Sequence, residues 1–426
     1  MRHTMNCMQK SITLALAITA HSFAADFHAS PQGAGSKDGS SAANAAPGSE
    51  LSSLFNDRLQ PGDRLVLAAG EYDAASLSLS KGGAAGKPKI IDGAGAILKS
   101  NWSVEKPDKG ATAISFAPGL SHVTIKNLSI QHYCFAIRCN PGEARTHITL
   151  DGLQMEQMRH GIYVSDCDDM TITGVKMKRY SKHGFRFEQG CDRVVLKNCA
   201  ADASEGDLDW ETKTELFTFG YIVNDGGPNT DFRFEDCLAT NNMKSNQGKL
   251  KYTNGDGFVA EKSVTNIQFI RCRSLRNQDG GFDIKATNTK FVDCVAIGHR
   301  RDFRIWADAT LENCLGGFSS TGLWSNGKSI VANHCTFVGH RKSALEFEGK
   351  PPGTLKITNS LAASGEEKFV NTIGKIESDD TVIFAKSTAD IGISAADPKW
   401  NGTGSAMDST KHADKGYSSK RVGKAD

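Results

Sequence analysis

One short strand pattern recurs along most of the chain, and its spacing constrains the fold more than any other feature. The segments VTIKNLSI, ITLDGLQM, MTITGVKM, VVLKNCAA, FRFEDCLA, FIRCRS, FVDCVA, LENCLG, VANHCTF and ITNSLA each set a polar turn pair before a small or apolar residue. The second polar position falls at Asn127, Gly152, Gly174, Asn198, Asp236, Arg271, Asp293, Asn313, His334 and Asn359. Most steps are 20–25 residues and two are longer, 38 and 35. A period of that length with β-type alternation predicts stacked coils, each burying its face only against its neighbours.

The columns of this stack can be aligned by hand. The position after the polar pair holds Cys199, Cys237, Cys272, Cys294, Cys314 and Cys335, then Ser360. With coils about 4.8 Å apart, this reads as an inward ladder of small apolar residues. A second strand recurs as GIYVSD, GFRFEQ, GYIVND, GFVAEK, GFDIKA, DFRIWA, GLWSNG and ALEFEG. Its second position is apolar throughout (Ile162, Phe185, Tyr221, Phe258, Phe282, Phe303, Leu323, Leu345) and so faces in. Alternation sends the next position out: Tyr163, Arg186, Ile222, Val259, Asp283, Arg304, Trp324, Glu346.

The ends of the chain read differently. Residues 1–24 carry Arg2 and Lys10, then an apolar run too short to span a bilayer, then Ser22-Phe23-Ala24: a secretory signal. No later run is long enough to cross a membrane, so the expected location is secreted or periplasmic, without membrane insertion. Glu50 to Leu59 has helical apolar spacing and is expected to cap the open end of an all-β stack spanning 25–396. Residues 397–426 read as a polar, solvated tail. The cysteine register has a packing explanation and implies no disulfide framework; a Cys134–Cys139 bridge stays open. A net charge of +2 argues against a nucleic-acid partner, and the chain is expected to act as a monomer.

The two long steps place insertions near 201–230, acidic and aromatic, and near 238–265, basic and polar. Beside them Asp256, Asp279 and Asp283 fall within about one coil spacing of each other, near 5 Å. Any one acid would ordinarily cap a turn or pair with Arg276 or Lys262. Three together repel, and a calcium ion would relieve that. Arg304 follows Asp283 in the outward column, with Arg300 and Arg301 just before it and Trp306 just after. A plain Asp283–Arg304 ion pair would explain this. The functional reading is a cationic groove for an acidic polysaccharide, with Arg186, Lys285, Arg300, Arg301, Trp306 and Trp324 as substrate contacts.

At these residues the sequence resembles the pectate-lyase superfamily of right-handed parallel β-helices, and more narrowly polysaccharide lyase family 9. DFHASPQGAGS, LQPGDRLVLAAGEY and GGAAGKPKIIDGAGA resemble an N-terminal region shared by several β-helix lyase families. NGDGFVAEK, CRSLRNQDGGFD and the coil after them resemble the calcium and base region. The resemblance implies calcium ligands at Asp256, Asp279 and Asp283. Gly280 stands where the family has a further Asp. Arg304 stands where it has the catalytic lysine, and arginine is the base in other pectate-lyase families. The implied activity is calcium-assisted β-elimination on a uronic-acid polysaccharide, pectate-like or an exopolysaccharide. A glycoside hydrolase on the same fold and a non-catalytic glycan-binding β-helix are the alternatives.

Overall fold

The computed structural model describes residues 24–243, 254–326, 329–348, 353–364, 370–372, 375–379, 382–393, 403 and 405–422. The expected signal segment, but for Ala24, lies outside them. Three ladders of parallel strands wind into a single solenoid. The first runs from Asp26–Ser30 through Ser121–Lys126, Asn229–Glu235 and Thr287–Val292 to Lys375–Ser378. The second carries the short strands, such as Leu238–Thr240, Arg273–Leu275 and Val295–Ile297. The third holds Phe135–Arg138, Phe219–Val223, Asp256–Ala260, Gly280–Ile284, Arg301–Ile305, Thr321–Asn326 and Ser343–Glu348. In Gln154–Ser165 and Lys176–Glu188 the second and third ladders run together as single long strands.

The polar column is the corner between the first and second ladders. All ten of its residues, from Asn127 to Asn359, are left-handed, with φ between 47° and 64°. Asn, Asp, His and Gly tolerate that region best, which explains the composition of the column. Arg271 is the exception, and its Nε donates to Asp236 Oδ1, one coil earlier in the same column, at 2.8 Å. From Asn127 to His334 the corner N–H groups each reach the carbonyl of the next coil, as from Asn127 to Asp151 and from Asp236 to Ile270. The corners therefore continue the ladder instead of interrupting it.

Side chains stack accordingly. Phe185, Tyr221, Phe258, Phe282 and Phe303 stand face to face with ring centroids 4.6, 4.7, 4.9 and 5.2 Å apart. A second stack, Phe234, Phe269 and Phe291, meets it edge-on. The cysteine column is fully buried, and its thiols donate to backbone carbonyls, as Cys199 does to Ile172. All ten described cysteines are free, Cys134 and Cys139 included.

The N-terminal cap is a short helix at Leu51–Ser53 that widens into a π turn at Leu54–Arg58. It buries Leu51, Leu54, Phe55 and Leu59 against the end of the core. The first insertion folds onto the wall: Asp207 caps the helix Leu208–Glu211, and Trp210 packs 6.5 Å from Trp102. Residues 244–253 of the second insertion lie outside the described residues.

The solvated tail is corrected by the structure. From Ser405 the chain returns along the solenoid, and Met407 and Tyr417 are buried on Val295, Leu315, Val338 and Leu361. Ser418 exchanges hydrogen bonds with Asn313, the Tyr417 N–H donates to Thr336 Oγ1, and the Gly416 N–H donates to the Asn359 carbonyl. The apolar outer face of the second ladder requires a cover, and two apolar side chains within a polar stretch provide it. Met407→Ala is expected to cost about 2–5 kcal/mol in urea unfolding. A change within about 0.5 kcal/mol would restore the solvated reading.

A polar network lies inside the stack, behind the strand Arg301–Ile305. Asp302 accepts from His299 Nδ1 and His340 Nε2, each at 2.9 Å, and from the Ser319 hydroxyl. Ser274 and Asn277 hold the other edge of His299 at 3.3 Å. Burial pushes His299 and His340 down to about 3 and Asp302 up. His160 and His183, buried in the third ladder, are also driven well below 6.5 by burial. A histidine with a depressed folded pKa contributes stability above its unfolded value of 6.5, and that stability is lost as pH falls toward the folded value. These histidines should therefore contribute a loss of stability on acidification below about pH 6.5, opposed by the raised carboxyls such as Asp302. In His340→Gln that slope should be shallower by up to about 1.4 kcal/mol per pH unit, read by urea unfolding at several pH values. An unchanged slope would show that His340 does not stay neutral in the fold.

Candidate active site

The third ladder builds the site because its outward column is continuous. Strand register pairs Tyr163 with Arg186, Arg186 with Ile222, Ile222 with Val259, Val259 with Asp283, Asp283 with Arg304, and Arg304 with Trp324. Phe219 pairs with Asp256 at the start of the same two strands. A cavity of about 580 Å³ opens on this wall. Asp256, Asp279, Asp283, Arg304, Arg300, Lys285 and Arg186 all line it.

The acid cluster is buried, with Asp256, Asp279 and Asp283 each no more than 5% exposed. Asp256 Oδ1 accepts the Gly280 N–H at 2.5 Å. The Arg304 guanidinium stands 3.5 Å from Asp279 and 3.4 Å from Asp283. Arg300 reaches Asp279 at 3.3 Å, and the Trp306 indole N–H donates to Asp283 at 2.6 Å. Burial, with the charges of Asp283 and Asp279, drives the Asp256 carboxyl well up. Burial also raises Asp279, against the pull of Arg304 and Arg300. Arg276 is not a partner of the trio: it is held by Asn241 and Glu211. Lys285 sits on Glu261 at 2.6 Å, with Asp283 at 3.8 Å.

Trp324, Arg301 and Trp306 are absent from the cavity lining. Trp324 is 3% exposed, lies under Arg301 and Arg304, and offers no open face to a sugar. Arg301 packs on that ring 4.9 Å away, outside the cavity lining. Trp306 supports Arg304, whose guanidinium lies 4.8 Å over its ring. At the far end Arg186 is clamped to Glu188 at 2.6 Å and lies over Tyr163.

The carboxylates do not form a calcium cage in this arrangement. Among the described residues no group of three or more His, Cys, Asp or Glu side chains is placed to hold a metal ion. Their oxygens face two guanidinium groups, an indole N–H and a backbone amide.

Sequence reasoning missed Lys182, His183, Phe217, Phe219, Asn224, Asn254 and Glu261, which complete the cavity wall. Two of them were within reach. Extending the alignment back from Phe185, Tyr221 and Phe258 by two positions gives His183, Phe219 and Asp256, a single paired column.

Residues 110–315 match the family described as "Right handed beta helix region". No curated protein sequence matches the chain significantly. Among solved structures, pectate lyase Pel9A is similar at 14% identity, over 88% of this chain and 86% of that one, with a TM-score of 0.51. A GH136 lacto-N-biosidase from Eubacterium ramulus is similar at 11% identity, over 84% and 68%, with a TM-score of 0.53. Among the described residues no helix is long and apolar enough to cross a membrane. Together with the strand topology, these likenesses show that the chain is a right-handed parallel β-helix of pectate-lyase-like architecture.

Proposed function

We propose that the protein is a secreted or periplasmic enzyme that cleaves a uronic-acid polysaccharide by β-elimination. The observation that carries this reading is Arg304, braced on Trp306 and reaching an open cavity that also presents Lys182, Arg186, Lys285 and Arg300. Elimination removes the C5 proton α to the uronate carboxylate, so negative charge builds on that carboxylate; the C4–C5 double bond then forms as the C4–O bond breaks, and the departing sugar oxygen takes a proton from water. A fixed guanidinium stabilises the charge on the carboxylate. Asp279 and Asp283 hold the Arg304 guanidinium in place, so its part is to clamp the carboxylate. Burial raises the Asp279 carboxyl, and it touches Arg304. We give it the part of proton acceptor. The fold shared with pectate lyase Pel9A supports this class of substrate.

The calcium implied by the resemblance does not fit the donor set as it stands, and no step is routed through it. Activity on a polyuronide should therefore survive chelation. Abolition by chelator, with rescue by calcium alone, would return the three aspartates to ligand duty. A second reading, a glycoside hydrolase, is favoured by one observation: Asp256 is held toward its protonated form beside two further carboxyls, as an acid–base pair requires. The lacto-N-biosidase likeness is compatible with it.

The product decides between these readings. Incubation with polyuronides should yield an unsaturated uronide absorbing in the ultraviolet; new reducing ends without that absorbance would mean hydrolysis. Arg304→Ala and Asp279→Asn should each lose at least about a hundredfold in kcat while keeping the wild-type melting profile. Full turnover by either would remove that residue from the mechanism.

A further inference from the structure

A second cavity, of about 490 Å³, opens toward the N-terminal end of the same wall. Register carries the outward column back from Tyr163 to Arg138, from Arg138 to Ser115, and from Ser115 to Ser78. Ser78, Thr112, Ser115, Arg138, Asn140 and Arg145 supply its polar lining, and no acid lines it.

Its arginines are unusual. Arg145 is 1% exposed. Its Nε and one terminal nitrogen donate to the carbonyls of Ala117 and Phe116, at 3.2 and 3.4 Å. The other terminal nitrogen is buried without a hydrogen-bond partner. No carboxylate lies within ion-pair distance of Arg145 or Arg138 among the described residues, although most arginines of this protein have one. A buried guanidinium with a free N–H and no counter-charge is costly unless an anion completes it. Arg138 lies over the rings of Phe135 and Tyr163, 4.2 and 5.9 Å from their centroids. That stacking holds the plane of its guanidinium and leaves the N–H edge for bidentate contact with a carboxylate.

We infer that this cavity is a distal subsite for a carboxylate of the same polysaccharide chain that occupies the active site. The inference rests on the uronate reading of that site and adds a second anchor to it. From Arg138 to Asp283 the column climbs five coils, through Tyr163, Arg186, Ile222 and Val259. At about 4.8 Å per coil the anchors stand about 24 Å apart, farther than a trisaccharide reaches. Tyr163 and Arg186 form the wall between them, with Arg186 4.7 Å over the Tyr163 ring. A long acidic chain would therefore engage both ends at once and gain by effective concentration, whereas a short one engages a single end. The consequence is preference for long chains and cleavage away from their ends.

The test is calorimetric binding of decagalacturonate and trigalacturonate to the full chain, with a neutral galactan oligomer as control. Arg138→Ala removes the half-buried anchor, and Ser115→Phe fills the cavity without changing charge. Either variant should weaken decagalacturonate by about tenfold or more, the effect of a lost charge-assisted hydrogen bond. The preference for the long oligomer over the short one should collapse in both. The neutral oligomer should not show that preference. Decagalacturonate bound equally by wild type and both variants would overturn the subsite, as would an undiminished preference for it. Binding that depends on Arg138 with no cleavage by wild type would keep the subsite and refute the reaction proposed above.

Discussion

In-register parallel pairing is the constraint on which the rest of this molecule depends. Each coil must present its neighbour with an unbroken row of N–H and C=O groups, through the corners as well as the strands. The left-handed corner residues meet that demand by keeping their N–H groups in the ladder. Once register is held, equivalent positions lie directly above one another. The sequence then needs only the same kind of residue in each column: aromatic rings from Phe185 to Phe303, thiols from Cys199 to Cys335.

The same constraint concentrates charge. Asp283 and Arg304 are separated by most of a coil in sequence and are nearest neighbours in the ladder. The outward column cannot disperse them, so it must balance them. It does so with guanidinium groups, an indole N–H and the Gly280 amide, and it leaves Asp256 raised by burial among like charges. Behind the wall, Asp302 ties His299, His340 and Ser319 together in the dry interior. That network fixes the strand that carries Arg301 and Arg304 from its inner side.

What could be read from sequence follows from this periodicity. Column phase was legible because alternation and a period of 20–25 residues reinforce each other, and the pairs Asp283–Arg304 and Arg304–Trp324 follow from it. Features that break the period were not. The docking of residues 405–422 rests on Met407 and Tyr417 within an otherwise polar stretch, too few to register as a pattern. Trp324 was assigned an outward position and does point outward, but Arg301 and Arg304 cover it. Alternation reports direction and says nothing of what a long neighbouring side chain will overlie. The isolation of Arg145 was equally hidden, because a missing partner is a property of three dimensions.

Gly280 ties the departures from the resembled pattern together. A Cβ at that position would stand 2.8 Å from Asp256 Oδ1 and 3.3 Å from Asp283 Cβ. An aspartate there requires Asp256 to move, and it would add a fourth carboxylate to the cluster. With glycine the backbone amide takes up the Asp256 oxygen instead, and one negative charge is absent. Arg304 contacts two carboxylates at once, Asp279 and Asp283. A pocket balanced by a guanidinium on its own wall has that contact in place before any substrate arrives.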